Sequence, residues 1–340
     1  MKKLIVTLLN LGLLAAVFCV WQGREYLSTP VGGNQAITVE IKQGDTLRPV
    51  LNDLESRKFI RYSELIYLYA RLTDSTDIRR GSYELYPNQS PISILNDLAK
   101  GKVVTESLTI VEGLNRWQVR DGLAEAGWIS AEEFDALCDD KDFLKAHKIP
   151  GPSCEGYLFP ETYVFARGVS AEHLFETFFK GYRTAFEKVT HGKNGPMQLG
   201  EREFMTLASI VEKETGAAKE RPRIACVFYN RLRAKPRWRL ETDPTVIYAA
   251  RLEDPNFDGN IKRSHLRKMK NPYNTYLNFG LPPGPIANSG LAAMKAVKAP
   301  IDCGDFFFVS KNNGEHIFCP TLNCHNAAVQ KWQVNYFRRK

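Results

Sequence analysis

The sequence predicts an α+β protein: an N-terminal transmembrane helix, a small α/β subdomain and a larger mixed α/β domain. Three observations predict it. Lys2 and Lys3 precede an uncharged apolar run, Leu4 to Trp21, just long enough for a bilayer core. Ile37 to Ile41 alternates apolar and polar residues, the period of a strand. Phe204, Leu207, Ala208 and Val211 stand at i, i+3, i+4 and i+7, one apolar face of a helix.

At 340 residues the chain can hold two domains beyond an anchor. Its 44% hydrophobic and 25% charged residues are an ordinary globular balance. The net charge of +8 suits an anionic surface or an acidic polymer. No long run of like charge and no nucleic-acid-binding motif appears, so nucleic acid is not expected as a partner.

Residues 1–21 are read as the anchor. Lysines before the span and none directly after it keep the N-terminus in the cytoplasm and export the rest. A cleaved signal would end on small residues, and none stand in that pattern; Val17 and Phe18 precede Cys19. Residues 22–36 are polar and Gly-containing, a tether. Residues 37–102 form the small subdomain. There the strand Ile37–Ile41 leads through Gln43-Gly-Asp-Thr-Leu47 into a helix marked by Val50, Leu51 and Leu54. A second helix from about Ser63, a strand at Gly81–Tyr86 and a helix around Ile94, Leu95 and Leu98 follow. The order strand, Gly-Asp-Thr-Leu, helix resembles a LysM module, which binds the N-acetylglucosamine units of glycan chains.

Residues 103–340 form the larger domain. It opens with a strand at Val103–Val111, then helices at Arg116–Glu125 and Ala131–Asp139. Glu155 to Tyr163 is an aromatic-rich loop, whose rings either stack on sugars or fill a core. Helices are expected at His173–Lys188, from Phe204 to a closing Gly216, and at Ile224–Leu232. Gly280 to Ile286 is a rigid Pro/Gly loop. Asp305 to Ser310 reads as a strand, and Asn312-Asn-Gly314 as a hairpin turn.

Export favours disulfides among Cys138, Cys154, Cys226, Cys303, Cys319 and Cys324. Cys138 with Cys154 is a short-loop pair, and one pair is expected within Cys303, Cys319 and Cys324. Cys226 sits in an apolar run and reads as a buried thiol. His316, Cys319, Cys324 and His325 crowd together as zinc ligands do, but their spacing fits no standard zinc pattern, so neither metal nor cofactor is expected.

Two carboxylates, Glu212 and Glu214, ride the edges of the apolar stripe that begins at Phe204. Partial desolvation holds a carboxyl proton to higher pH, which suits a general acid. Periodicity does not choose between the two.

Several separated motifs occur in one order. They are Val111-Glu-Gly113, Glu155-Gly-Tyr-Leu-Phe-Pro-Glu-Thr-Tyr163, Ala208-Ser-Ile-Val-Glu-Lys-Glu214, Phe228-Tyr-Asn-Arg-Leu232, Thr242-Asp-Pro-Thr-Val-Ile-Tyr248, Tyr273-Asn-Thr-Tyr276, Gly280-Leu-Pro-Pro-Gly284 and His316-x-Phe318 with His325-Asn326. Together they resemble the YceG-like family of endolytic murein transglycosylases, from the anchor to about Gln330. The resemblance implies a YceG-like catalytic domain with Glu212 as the catalytic acid. Asp243, Asn274, Tyr276 and Glu161 match motif positions that would bind substrate. It also implies cleavage of the β-1,4 bond between N-acetylmuramic acid and N-acetylglucosamine in nascent peptidoglycan glycan strands, with 1,6-anhydro ends. Such an enzyme would sit in the cell inner membrane as a single-pass protein, its catalytic domain in the periplasm, beside the peptidoglycan synthases, and would terminate glycan elongation. This sequence departs from the family pattern at Glu241, often an amide, at Glu161, often aspartate, and in its cysteines. The alternative function is a peptidoglycan-binding protein without turnover.

Overall fold

The computed structural model describes residues 2–338 except 33, 34, 43, 103 and 193; of residues 2–6, 8, 9, 337 and 338 only the backbone is described. Parts of the expected anchor, tether, Gly-Asp-Thr turn and first strand of the larger domain therefore lie outside the described residues. The chain divides into two compact units, Met1–Leu108 with Val164–Val169, and Thr109–Tyr163 with Ser170–Lys340.

The first unit begins with helix α1 (Lys2–Ser28), followed by β1 (Ile37–Ile41), α2 (Leu47–Ser56), α3 (Ser63–Leu72), β2 (Gly81–Leu85) and α4 (Pro91–Lys100). β1 and β2 pair antiparallel, Val39 opposite Tyr83. The period-2 alternation sends Val39 and Ile41 inward, where they meet Leu51, Leu54, Tyr83 and Leu98. α4 starts on a sequence-encoded signal: Ser90 accepts from the Ser93 amide and Pro91 occupies the first turn.

The expected tether differs. α1 runs on through Ser28, and Leu27 joins the core of this unit. Tyr26 packs edge-on against Tyr62 and accepts a hydrogen bond from the Arg61 amide at 2.9 Å. After the helix, the Val31 amide donates to Gln89 O and the Gly32 amide to Pro87 O. Polarity alone suggested a loose linker, but two aromatic and aliphatic side chains within it have a tertiary partner. Among the described residues no helix is long and apolar enough to cross a membrane. Within the expected span, Leu4, Ile5, Val6, Leu8 and Leu9 are described by their backbone only.

β3 (Thr105–Thr109) and β4 (Thr162–Ala166) form a second two-stranded sheet, and the boundary between the units falls within both strands. The second unit contains α5 (Arg116–Glu125), α6 (Ala131–Asp139), α7 (Lys141–Ala146), α8 (Ala171–Thr190), α9 (Glu201–Glu214), α10 (Arg221–Arg233), α11 (Asp243–Glu253), α12 (Arg263–Lys268) and α13 (Leu291–Lys298). β5 (Phe307–Ser310), β6 (His316–Cys319), α14 (Leu322–Val329) and α15 (Asn335–Arg338) complete it. β5 and β6 are antiparallel, joined through Asn312 and Gly314 at positive φ, as the Asn-Asn-Gly turn requires.

α9 is the centre of this unit and packs against α10, α11 and α13. The heptad-like stripe predicts one buried face, yet every residue from Phe204 to Glu212 is buried. A helix enclosed on all sides is a core helix rather than a surface one. It also ends differently: Thr215 is extended, and its hydroxyl accepts from the Ala217 amide at 2.9 Å, in place of a glycine cap at Gly216. The aromatic loop is core as well. Tyr157, Leu158, Phe159 and Tyr163 are buried, and Tyr157 stacks edge-on with Tyr182.

Three disulfides form. Cys138–Cys154 matches the short-loop expectation, and Cys319–Cys324 is a pair within the expected cluster. Cys226 corrects one reading: it pairs with Cys303. An apolar environment suggested a free thiol, but the partner lies 77 positions away and no local pattern marks it.

Candidate active site

The last turn of α9 delivers Glu212, whose neighbours come from three other segments. Arg221, the first residue of α10, points a terminal guanidinium nitrogen at Glu212 Oε1. Gly290, which caps the start of α13, donates its amide to Glu212 Oε2 at 3.1 Å. Glu112 lies 4.0 Å from the other terminal nitrogen of Arg221. Lys213 turns aside and donates to Gly113 O at 3.0 Å.

Glu212 is 8% exposed, and burial raises its carboxyl above the ordinary range. The Arg221 charge, the Gly290 amide and Lys213 pull the other way, while Glu112 raises it further. The outcome is a raised carboxyl with stabilisers of its ionised form already in contact. Such a group can give up a proton and take one back.

The frame is built from local signals and one distant clamp. Pro222 stands in the first turn of α10 and fixes where Arg221 begins. The loop before α13 is pinned to α9 by the Ile286 amide, which donates to Ser209 Oγ at 3.0 Å. Asn288 is fully buried and joins three segments. It accepts from the Leu158 amide at 3.0 Å and donates to Leu114 O at 2.9 Å. Its carbonyl also accepts from the Gly113 amide at 2.8 Å. This holds the segment with Glu112 over the start of α13, where a Cβ at Gly290 would collide with Glu112 Oε1.

Glu214 has a different environment. The Thr242 hydroxyl donates to it, and burial raises its carboxyl to about 7, with Asp243 adding to the rise. Asp243 itself accepts from the Tyr276 hydroxyl at 2.6 Å. Two of the four expected substrate residues, Asp243 and Tyr276, are thus gathered with Glu214. A groove of about 730 Å³ opens beside Glu241, lined by Trp238, Phe279, Arg237 and Arg239.

The other two are elsewhere. Asn274 is fully buried, donating to His265 O and Met269 O at 3.0 Å and accepting from the Tyr276 amide. Those bonds staple its own loop, and no part of the side chain faces a cleft. Glu161 is exposed and lines a smaller cavity of about 380 Å³ with Tyr163, Lys180 and Leu291, the residue after Gly290.

The His/Cys cluster is otherwise engaged. Cys319 and Cys324 are bonded to each other, His316 Nδ1 meets Glu220 at 2.8 Å, and His325 stacks on Phe307. Among the described residues no group of ligands could hold a metal ion.

Sequence reasoning passed over Glu112, Arg221, Asn288 and Gly290 as site residues. Glu112 stood in a quoted motif, but the others carried no signal beyond lying near one. The match to known proteins covers all of them. Residues 39–331 fit the profile of the YceG-like family. The chain belongs to that family. A relative from Bacillus subtilis (strain 168), named endolytic murein transglycosylase, is 30% identical over 87% of this chain and 84% of its own length. One of the same name from Streptococcus pneumoniae (strain D39) is 27% identical over 83% of this chain and 56% of its own length. The crystal structure of a YceG-like protein from Listeria monocytogenes superposes with a TM-score of 0.57 at 32% identity, covering 87% of this chain and 99% of that one. The mixed helix and strand composition of this YceG-like chain is therefore shared with a solved relative.

Proposed function

We propose that this chain is an endolytic murein transglycosylase with Glu212 as its acid and base. The relatives' shared name supports the activity. The observation that carries the residue is the buried Glu212 carboxyl, raised above its ordinary range yet bonded to Arg221 and to the Gly290 amide.

The reaction proceeds in two proton transfers. Protonated Glu212 donates to the glycosidic oxygen between N-acetylmuramic acid and N-acetylglucosamine, and the bond to C1 breaks. The resulting carboxylate takes the proton of the muramic C6 hydroxyl, and O6 closes on C1 as a 1,6-anhydro ring. Glu212 ends protonated and no water is consumed. One residue acting twice removes the need for the second catalytic carboxylate of ordinary glycosidases.

The setting is part of the same proposal. α1 anchors the chain in the inner membrane with the rest of the chain in the periplasm, a reading supported by Lys2, Lys3 and the apolar run after them. The β1–α2–α3–β2 arrangement supports a LysM-like subdomain that holds glycan. Nascent strands are the substrate, the synthases that make them are the partners, and cleavage ends elongation. Asp243 and Tyr276 contact the strand; Glu161 does so from its own cavity.

Purified uncross-linked glycan strands, digested and analysed by mass spectrometry, should gain anhydro ends. Glu212→Gln keeps the shape and removes the transferable proton, so it should lose activity by about a thousandfold or more at an unchanged melting temperature. A folded Gln variant that still cuts would reject the assignment. Strand binding with no new ends from the unaltered protein would favour a wall-binding role.

A further inference from the structure

Glu212 is not alone with its proton, and what surrounds it deepens the reading just given, on which this inference rests. We propose that Arg221 and Glu112 are positioning residues of opposite effect, Arg221 favouring the carboxylate of Glu212 and Glu112 favouring its acid. Together they poise one side chain for both halves of the reaction.

The geometry is a guanidinium shared between two carboxylates. Arg221 is buried, with 9% of its side chain exposed; one terminal nitrogen meets Glu212 Oε1 and the other lies 4.0 Å from Glu112 Oε2. A planar fork addresses two acceptors at once without rearranging, which a lysine cannot do. The start of α13 repeats the arrangement. Its Gly290 amide binds Glu212 Oε2, and the space where a Cβ would stand is filled by Glu112 Oε1. Glu112 is thereby held close enough to act on the Glu212 charge, and half of its side chain remains exposed.

The charged groups facing Glu212 from the elements around α9 are few. Arg221 comes from α10, Glu112 from the segment before α5, and Lys213 from α9 itself. α13 contributes the Gly290 amide, and α11 contributes Asp243, which acts on Glu214 instead. Burial and Glu112 hold the proton on; Arg221, the amide and Lys213 draw it off. As the proton leaves for the glycosidic oxygen, the new negative charge forms against donors already in place, so no reorganisation is required. As the C6 hydroxyl approaches, the Glu112 charge makes that carboxylate a better base.

The test is the pH dependence of cleavage by the full chain, read as anhydro ends released from uncross-linked glycan strands. Activity requires protonated Glu212, so the rate falls as pH rises through its titration. Glu112→Gln removes a negative neighbour, loosens the proton, and should move that falling limb to lower pH by about one unit. Arg221→Gln removes a positive neighbour and should move it to higher pH by about as much or more, with a lower maximum. Arg221→Lys keeps the charge, so its limb should lie near that of the parent while its maximum drops. A structural role alone would lower rates without opposite displacements. An unmoved or upward limb in Glu112→Gln overturns the proposal, and that variant carries the test even if Arg221→Gln does not fold. Should Glu212→Gln remain active, the underlying reading has failed; should it be inactive while the Glu112→Gln limb stays in place, only the present inference falls.

Discussion

Glu212 and Glu214 are two positions apart, and burial raises both, but they sit in unlike company. Glu212 faces a cation, an amide and a second carboxylate, whereas Glu214 is held by the Thr242 hydroxyl near Asp243. Glu214→Gln should therefore keep most of its activity in the glycan assay, and an equal loss at both positions would leave the choice of Glu212 unsupported. Glu155 carries a different consequence. It accepts from the Arg116 amide at 3.0 Å, is nearly fully buried, and burial lifts its carboxyl from 4.5 to about 7. The folded chain then binds that proton more tightly than the unfolded chain. The resulting stability is complete below the unfolded value and is lost as pH rises to about 7. Its size is about 2–3 kcal/mol at most. Glu155→Gln cannot ionise, so relative to the parent its melting temperature should be higher at about pH 8 than at about pH 5. An offset that is the same at both pH values would contradict this account.

Disulfides act at the scale of elements. Cys138–Cys154 ties α6 to the loop that carries Glu155, and the Cys154 amide also donates to Cys138 O at 2.8 Å. Cys226–Cys303 ties α10 to the strand region after α13. Closing these loops restricts the unfolded chain, each worth about 2–4 kcal/mol. Replacing Cys138 and Cys154 together by serine should lower the melting temperature by several degrees, with larger loss for the Cys226–Cys303 pair because its loop is longer. Thiol labelling of denatured, unreduced protein should find only Cys19 reactive. Further reactive thiols would mean that the bonds do not form.

The first unit and its helix belong together at the scale of the whole molecule. Leu27 is 6% exposed within the core of that unit, and Tyr26 is bonded to Arg61. Truncation should therefore respect the helix and not the polar composition of residues 22–36. A chain starting at Gln22 should melt like the parent, while one starting at Ala36 should be less stable by about 2–4 kcal/mol, the cost of removing a buried Leu and its aromatic neighbour. Equal melting of the two would show that α1 is dispensable to this unit. If α1 is the anchor, its rigid continuation keeps the first unit close to the membrane where new strands emerge. A secreted form starting at Gln22 should then cut free strands in a tube but fail to restore glycan length in cells lacking the full chain. Restoration at matched abundance would reject the anchoring role.

Near-neighbour patterns in the sequence determined most of the elements, because a helix or strand is decided by residues within a few positions of each other. Arg116–Glu125, Ala131–Asp139, Ile37–Ile41 and the Asn312–Gly314 turn were legible for that reason. The motif order pointed to Glu212, which the helical period left tied with Glu214. Tertiary structure alone decided what the proton of Glu212 meets. The Gly290 amide reaches it from 78 positions away, and Asn288 binds Leu114 across 174. It also turned the aromatic loop into core, paired Cys226 with Cys303, and drew Tyr26 and Leu27 out of an apparent linker. Each of these is a contact between segments whose separation carries no period, so no local pattern can encode it.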